Sequence, residues 1–209
     1  VTYAEVDQWT PEKIPEKPSD NLLDRWITSK TASLIKGVDT AISSYHLYLA
    51  VQPILEFVDQ LTNWYISLNR RRFWAGDYAK EVEDKTQAYS TLHRALISFV
   101  RVLAPLAPYV SEEIFQNLKT GVKGLDFDSV HLAPFPSQED LGAYQIDEEL
   151  EEAMELFEEV ILLARGLRND TGLKVRQPLS KLTIVHSDEE VLNRIKLLDS
   201  YICDEINVK

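Results

Sequence analysis

The sequence lacks several features, and each absence excludes a class of structure or function. Only one of its 209 residues is a cysteine, Cys203, so the chain forms no internal disulfide and no cysteine-rich zinc site. A single cysteine is typical of the reducing cytosol, and we expect a cytoplasmic protein. No apolar run approaches ~20 residues, so the sequence predicts no membrane-spanning helix.

Positive charge is also scarce. The chain has 22 lysines and arginines against 34 aspartates and glutamates, which gives a formal net charge of −12. A protein that coats nucleic acids without specificity is usually basic overall, so the net charge argues against that function. A single local basic patch remains compatible with this charge, because the acidic remainder would repel RNA everywhere else.

Motifs for phosphate binding, metal binding and catalysis are missing. Neither common type of glycine-rich phosphate loop occurs. None of the histidines has metal-ligand spacing or a cysteine nearby; they are His46, His93, His131 and His186. Adjacent acids such as Glu112 and Glu113 point about 100° apart on a helix, so they form no acid–base pair. We therefore expect no catalytic residue, no metal ligand and no cofactor in this chain.

What the sequence does contain is helical periodicity. Apolar stripes predict helices over residues 21–44, 45–72, 84–103, 108–118 and 147–172, and a last helix from 188 onward. Ser19 or Asp20 is the expected cap of the first. Pro53 predicts a kink or break in the second. The expected core face of that second helix comprises Val51, Ile54, Leu55, Val58, Leu61, Tyr65 and Leu68.

Three short segments favour extended structure, namely residues 1–6, 129–132 and 181–185, and the last two could pair. The predicted fold class is mainly α, a helical bundle with a small C-terminal α/β appendage. Residues 1–19 are interpreted as a connecting strand and proline-rich linker, 20–125 as the bundle core, and 126–209 as the fifth long helix plus the appendage. The chain lacks an initiator methionine and ends within a predicted element, so we expect it to be part of a longer polypeptide.

One stretch combines positive charge, aromatic rings and amides more densely than any other. Residues 63–74 read NWYISLNRRRFW, with three consecutive arginines among four aromatics. Guanidinium groups bind phosphate oxygens and stack on bases, and tryptophan faces stack on single-stranded bases. The candidate RNA-binding residues here are Trp64, Asn69, Arg70, Arg71, Arg72 and Trp74.

A purely structural interpretation of the same stretch stays open. Its aromatics would pack the helix end, since aromatic residues are usually buried, and its arginines would be a solvated turn. Three consecutive arginines fan over about 200° of a helix, so at most two of them can share one ligand. We expect the third to pair with an acid of the fold.

A second basic cluster follows the fifth helix. Arg165 and Arg168 lie at its C-terminal end, where the helix dipole already favours positive charge. Lys174, Arg176 and Gln177 come next, and alternation along an extended segment would point Lys174 and Arg176 the same way. Binding residues are often found on such loops, so these three form a candidate second wall of the site.

These motifs, in this order, resemble the C-terminal helical anticodon-binding domain of the isoleucyl-tRNA synthetase family. The resemblance covers essentially the whole chain. Besides residues 63–74, it rests on DRWI (24–27), LAPLAPY (103–109), EEIF (112–115), SVHL (129–132) and GLKVRQPL (172–179). Two departures are Ser67 and Leu68, where relatives often have arginine, and Pro53 within the helix.

The resemblance implies a function that the composition alone does not. The complete enzyme would be a class I synthetase that activates isoleucine with ATP and Mg²⁺ and esterifies tRNA. Its nucleotide-binding signatures, its editing domain and any zinc site would lie outside this chain. The chain itself, expected to be a monomer, would hold the isoleucine anticodon stem-loop and orient the tRNA toward the catalytic and editing domains of the same polypeptide.

Two alternatives accompany this interpretation. The related valine, leucine and methionine synthetases share the helical bundle, although the run NRRRFW favours isoleucine. A helical protein–protein interaction module, whose acidic face binds a basic partner, is the alternative from another class. Such a module would have no need of the basic, aromatic segment 63–74.

Overall fold

The fold was analysed in a computed structural model. The structure describes residues 4, 6–11, 19–74, 79–119, 127–137, 141 and 146–209. The chain divides into two compact units, Val1–Ile146 and Asp147–Lys209. Within the described residues, every helix is too short or too polar to serve as a bilayer span.

The first unit is built from helices. In chain order they are α1 (Leu22–Ser43), a 3₁₀ helix (Leu47–Ala50), α2 (Val51–Asp59), a π-helix (Gln60–Ile66), α3 (Arg70–Phe73), α4 (Ala79–Leu103), α5 (Pro108–Leu118) and a second 3₁₀ helix (Val130–Leu132). Helices α1 and α4 are the central pair of this unit, and α5 packs on α4. The prediction of a mainly α fold is confirmed.

Helix α1 is fixed at both ends by its own sequence. The Asn21 side chain accepts hydrogen bonds from the backbone N–H groups of Leu23 and Asp24, so Asn21 is the cap, and the prediction of Ser19 or Asp20 was wrong. At the other end Tyr45 adopts a left-handed φ of 59°. The amides of Tyr45 and His46 then return to carbonyls in the last turn of the helix, which closes it.

The predicted second helix is broken into several pieces. Pro53 lies in the first turn of α2, where its missing N–H costs no hydrogen bond, and the break falls just before it at the 3₁₀ helix. The π-helix that follows was not predicted. Three of the seven residues predicted for the core face are exposed, namely Val51, Leu55 and Val58. All three lie in α2, whose buried side chains are Ile54 and Phe57.

The core of the first unit is aromatic and aliphatic. Trp26 and Ile27 of α1 and Val100 of α4 are fully buried. Phe57 of α2 stacks on Phe99 of α4 with ring centroids 5.4 Å apart. Phe73 of α3 lies 5.4 Å from Tyr89 of α4, measured between ring centroids, and this contact holds the arginine-rich helix against α4.

The second unit contains α6 (Glu148–Asp170), α7 (Glu189–Lys196) and α8 (Asp199–Ile206). Asp147 caps α6, and Gly172, with φ 68°, ends it in a Schellman arrangement closed by the amides of Gly172 and Leu173. Both ends of α6 agree with the sequence. The single predicted last helix is instead two, because the chain turns at Leu197 and Leu198.

The predicted strands are absent from the described residues. Residues 181–186 are irregular, and residues 130–132 form the second 3₁₀ helix, so the proposed pairing of residues 129–132 with 181–185 does not form. The second unit has one isolated parallel bridge, between Leu179 and Val208, in place of an α/β appendage. Most of the strand expected at residues 1–6 lies outside the described residues; Ala4 and Val6 are helical.

Candidate nucleic-acid interface

The three arginines of the 63–74 segment have three different environments. Arg72 is the internal one. Its guanidinium binds Asp24 through two nitrogens, with both N–O distances 2.8 Å, and binds Asp84 through Nε at 2.8 Å and Nη2 at 2.7 Å. The prediction that one arginine pairs with acids of the fold is confirmed, and Arg72 is that arginine.

The Arg72 cluster continues into the core. The Tyr65 hydroxyl donates to Asp24 Oδ1 at 2.7 Å and the Ser19 hydroxyl donates to Oδ2 at 2.6 Å, so the fully buried Asp24 carboxylate is saturated. Burial raises the pKa of Tyr65, and the charge of Asp24 raises it further. Burial alone would lower the pKa of Arg72, but its hydrogen bonds to Asp24 and Asp84 raise it above the ordinary value. Arg72 is thus a permanently charged structural link.

Asn69 and Trp64 also lie inside the fold. Asn69 is fully buried; its Nδ2 donates to the Tyr65 carbonyl at 2.9 Å and its Oδ1 accepts from Arg72 Nη1 at 2.8 Å. Trp64 is 8% exposed. These side chains support the segment from beneath, so any contact they make with a ligand would require a rearrangement of the fold.

Arg70, Arg71 and Trp74 are exposed at the C-terminal end of the segment, and we call them the α3 surface. Trp74 is 61% exposed, and both arginines are exposed as well. The Arg70 guanidinium lies over the Trp74 ring, with Cζ 5.6 Å from the ring centroid. This cation–π contact places a positive charge and an aromatic face side by side.

A cavity of about 840 Å³ opens beside the α3 surface. Arg70 and Trp74 belong to its lining. The rest of the lining includes Trp9, Phe73, Tyr89, Leu92, His93, Leu96 and Asn117. The cavity therefore combines several aromatic rings and an aliphatic base with a cationic rim. Sequence reasoning did not find it, because its walls come from segments far apart in the chain.

One wall of the cavity contains Trp9, which lies in the segment 1–19 that the sequence analysis interpreted as a strand and linker. Asp7 accepts hydrogen bonds from Lys85 and from the Tyr89 hydroxyl, both at 2.7 Å, which holds this segment on α4. Burial raises the pKa of Asp7, but those two hydrogen bonds outweigh it, so the pKa lies below the usual value. The Trp9 ring then lies 5.9 Å from Tyr89 and 5.5 Å from His93, measured between ring centroids.

The candidate residues of the second unit lie on one turn. The backbone N–H of Gln177 donates to the Lys174 carbonyl at 2.9 Å. Residues 174–177 therefore form a tight turn rather than the extended segment that the alternation predicted. Lys174, Arg176 and Gln177 are all exposed on this turn. The structure thus brings these three together, although for a reason other than strand alternation.

Arg168 holds that turn in place. It is 3% exposed and donates to three carbonyls, those of Lys174 at 3.1 Å, Gln177 at 2.9 Å and Ile206 at 2.6 Å. Asn207 adds hydrogen bonds from its Nδ2 to the Val175 and Arg176 carbonyls. Arg168 therefore does more than complement the helix dipole, while Arg165 pairs with Glu205 of α8.

The described part of the chain contains no group of three or more histidine, cysteine, aspartate or glutamate side chains placed to hold a metal ion.

Glu112, one of the two adjacent acids considered above, accepts hydrogen bonds from Ser129 Oγ at 2.8 Å and from the Val130 backbone amide at 2.9 Å. Hydrogen bonds from Gln116, Val130 and Ser129 lower the pKa of this carboxyl, which caps the second 3₁₀ helix.

The first unit is a helical domain that presents arginine and tryptophan side chains at one helix end. Comparison with known proteins identifies the family to which the chain belongs. A sequence model of the anticodon-binding domain of tRNA ligases matches residues 24–184, which is more than half of the chain. The chain belongs to this family of anticodon-binding domains.

Its similarity to individual proteins is equally consistent. The chain is 40% identical over 210 residues to an isoleucine–tRNA ligase of Protochlamydia amoebophila, and 38% identical to isoleucine–tRNA ligases of Clostridium novyi and Chlamydia pneumoniae. Each alignment covers all of this chain but only 19% of the relative. The chain thus spans about a fifth of the length of the curated relatives that it matches.

Proposed function

We propose that this chain is the anticodon-binding module of an isoleucine–tRNA ligase. It would hold the anticodon stem-loop of an isoleucine tRNA while other domains of the same polypeptide attach isoleucine with ATP and Mg²⁺. Similarity to isoleucine–tRNA ligases along the entire chain supports isoleucine over the valine, leucine and methionine alternatives. A cytoplasmic location and a monomeric state belong to the same proposal.

The observation that carries the proposal is the exposed pairing of Arg70 with Trp74. A guanidinium held against an indole offers a phosphate ligand and a stacking face at one place, and single-stranded RNA presents phosphates and unstacked bases together. Arg71 extends the same surface. Of the residues predicted from sequence, we assign these three to direct contact in the first unit.

The remaining predicted residues have different parts in the proposal. Trp64, Asn69 and Arg72 would act by supporting the α3 surface, since their side chains are buried or occupied within the fold. Lys174, Arg176 and Gln177 would form a second contact surface, on a turn that Arg168 and Asn207 shape. Exposed basic side chains on a shaped turn are suited to binding phosphates.

Binding to two anticodon stem-loops tests the proposal. We expect the 209-residue chain to bind a stem-loop with an isoleucine anticodon more tightly than the same stem-loop with a valine anticodon. Arg70→Ala and Arg71→Ala should each weaken binding. Lys36→Ala, which removes an equal charge from the exposed face of α1, should leave it unchanged. Equal affinity for both anticodons would contradict the isoleucine assignment, and failure to bind either at low salt would contradict RNA recognition.

A further inference from the structure

Helix α2 is apolar on two faces. Its inward face buries Ile54 and Phe57. Its outward face carries a row of apolar side chains that begins one turn earlier, in the first 3₁₀ helix. We call this row the α2 stripe, and it consists of Tyr48, Val51, Leu55 and Val58. A helix that is apolar on all sides is normally buried on all sides, so we expect another element to cover the α2 stripe.

The α2 stripe is continuous and exposed. Residues three and four apart lie on one side of a helix, and the stripe follows that spacing from its first member to its last. The exposed fractions are 71% for Tyr48, 50% for Val51, 59% for Leu55 and 38% for Val58. Single exposed apolar residues are common, but a contiguous row marks an interaction surface. The same spacing is the one by which helices pack side by side.

The charges beside the α2 stripe are negative. Glu56 follows Leu55 and Asp59 follows Val58, and both acids are exposed. Residues 37–69 contain no lysine or arginine, so this segment offers no cation to a phosphate backbone. RNA is therefore a poor occupant of the stripe. A positively charged protein segment is favoured, because complementary charges across an interface select the partner and fix its register.

A second copy of the chain fits poorly for the same reason. Two copies related by a twofold axis present the same patch to each other. Glu56 and Asp59 would then face a surface that carries the same two carboxylates, and like charges oppose pairing. The chain spans about a fifth of the length of its curated relatives, so the proposed ligase contains far more polypeptide than this module. A domain of that polypeptide is permanently available to cover an apolar face.

We propose that the α2 stripe is the docking site of an amphipathic helix from another domain of the same polypeptide. Apolar residues of that helix, spaced three and four apart, pack on the stripe. Lysine or arginine side chains beside them pair with Glu56 and Asp59. This inference rests on the proposed function, because it requires the longer polypeptide of an isoleucine–tRNA ligase. It adds an interface built from residues other than those of the α3 surface.

Alkylation of an introduced thiol tests whether the stripe is covered. Leu55→Cys would be made in the 209-residue chain and in the complete ligase, and mass spectrometry of the modified peptides distinguishes it from Cys203. We expect alkylation at position 55 to be about tenfold slower or more in the complete ligase without tRNA, because the interface must open first. Tyr109→Cys, at a side chain of α5 that is 91% exposed, is the comparison site and should react at similar rates in both proteins.

The charge of the occupant is tested by reversing a charge beside the stripe. Glu56→Lys should speed alkylation of Leu55→Cys in the complete ligase, measured relative to the same double variant in the 209-residue chain, because it places like charges at the interface. Glu113→Lys makes the same change at an exposed site of α5 and should have no effect. If Glu56→Lys also leaves the relative rate unchanged, the occupant does not carry the charge that we propose.

Photo-cross-linking identifies the occupant. A thiol-reactive photo-cross-linker attached to Gln52→Cys, an exposed position beside the stripe, should join the chain to a helix of another domain of the same polypeptide. A cross-link to a second copy, or protection of Leu55→Cys that develops only when tRNA is added, would overturn the inference. Equal alkylation rates in the two proteins, or equal slowing at positions 55 and 109, would overturn it as well.

The inference and the proposed function fail in different ways. If the 209-residue chain binds the isoleucine anticodon stem-loop but Leu55→Cys reacts equally fast in the complete ligase, the inference alone is wrong. If Leu55→Cys is protected in the complete ligase but the 209-residue chain binds no stem-loop, the RNA-binding part of the proposed function is wrong and the docking interface stands.

Discussion

Arg70, Arg71 and Arg72 show how far neighbouring identical residues can differ. The side chain of Arg72 is only 13% exposed and is bound on two sides by carboxylates, whereas Arg70 lies on the surface against Trp74. Consecutive residues of a helix point in different directions, so the three arginines cannot all have the same surroundings. Arg72 points inward because it pairs with Asp24 and Asp84, which lie 48 and 12 residues away in the chain.

Arg72→Ala should therefore unfold the protein more readily rather than simply weaken RNA binding. Removal of one partner leaves the Asp24 carboxylate buried without its countercharge, which costs about 3–5 kcal/mol of unfolding free energy. Urea unfolding monitored by circular dichroism measures the change. Arg70→Ala is the matched control and should stay within about 0.5 kcal/mol of wild type, as surface substitutions do. Equal stability of the two variants would contradict the structural assignment of Arg72.

His93 should make stability depend on pH. Its Nε2 lies 2.9 Å from the Leu118 carbonyl, so Nε2 carries the proton of the neutral ring. Burial lowers the pKa of His93 below its ordinary value, and the nearby charge of Arg94 lowers it further. The unfolded chain therefore binds a proton at a higher pH than the folded chain does. The stability contributed by the neutral ring is present above the unfolded pKa and is lost as pH falls through the folded one.

Melting temperatures of wild type and His93→Gln measure this effect. Glutamine can still donate a hydrogen bond to the Leu118 carbonyl but does not titrate. The difference in melting temperature between the two proteins should change in favour of the variant between pH 7.5 and pH 5. The exposed residue His46 provides a control, since His46→Gln should show the same pH dependence as wild type. A constant difference between wild type and His93→Gln would contradict the assignment.

At the scale of the element, the ends of α5 and α6 were more predictable than the buried face of α2. Pro108 begins α5, and Asp147 and Gly172 bound α6, as their sequence predicted, because capping is a local property. The buried face of α2 is not the one that the apolar stripe indicated, because Ile54 and Phe57 are buried while Val51 and Leu55 are exposed. Apolar residues on both faces of this helix left the choice between them to tertiary packing.

The candidate site divides in the same way. Local chemistry was sufficient to single out residues 63–74, since charge and aromatic content can be seen in the sequence. The cavity was not predictable, because its Trp9 wall depends on Asp7 contacting Lys85 and Tyr89, which are distant in the chain. The turn at residues 174–177 was assigned to an extended segment for a similar reason. Hydrogen bonds from Arg168 and Asn207 hold the turn, and the spacing of apolar residues in the sequence does not predict these bonds.

That turn gives a prediction about Arg168. Arg168→Lys keeps the charge at the C-terminal end of α6 but cannot donate to three carbonyls in fixed directions. If complementing the helix dipole were its main role, lysine would restore stability. We expect instead that both Arg168→Lys and Arg168→Ala lose about 1.5–3 kcal/mol or more, the contribution of charged hydrogen bonds. Faster hydrogen exchange at the amides of Gln177 and Leu179 would place the loss at the turn and the bridge.

At the scale of the whole molecule, the charge distribution sets how RNA binding should respond to salt. A net charge of −12 means that most of the surface repels a phosphate backbone. We expect attraction to come mainly from the cations of the proposed contact surfaces, Arg70 and Arg71 in one unit and Lys174 and Arg176 in the other. Each phosphate contact releases counterions, and binding to single strands weakens with salt by a slope of about −0.7 per contact on logarithmic axes.

A shallow salt dependence follows from this arrangement. Four cations limit the slope of log K against log salt to about −3, far less than for a protein that coats nucleic acid. Titration of the isoleucine anticodon stem-loop at several salt concentrations measures this slope. Arg70→Ala should reduce its magnitude by about one contact, whereas Lys36→Ala, on the exposed face of α1, should leave the slope unchanged. A steep slope that Arg70→Ala leaves unchanged would mean that the RNA binds elsewhere on the molecule.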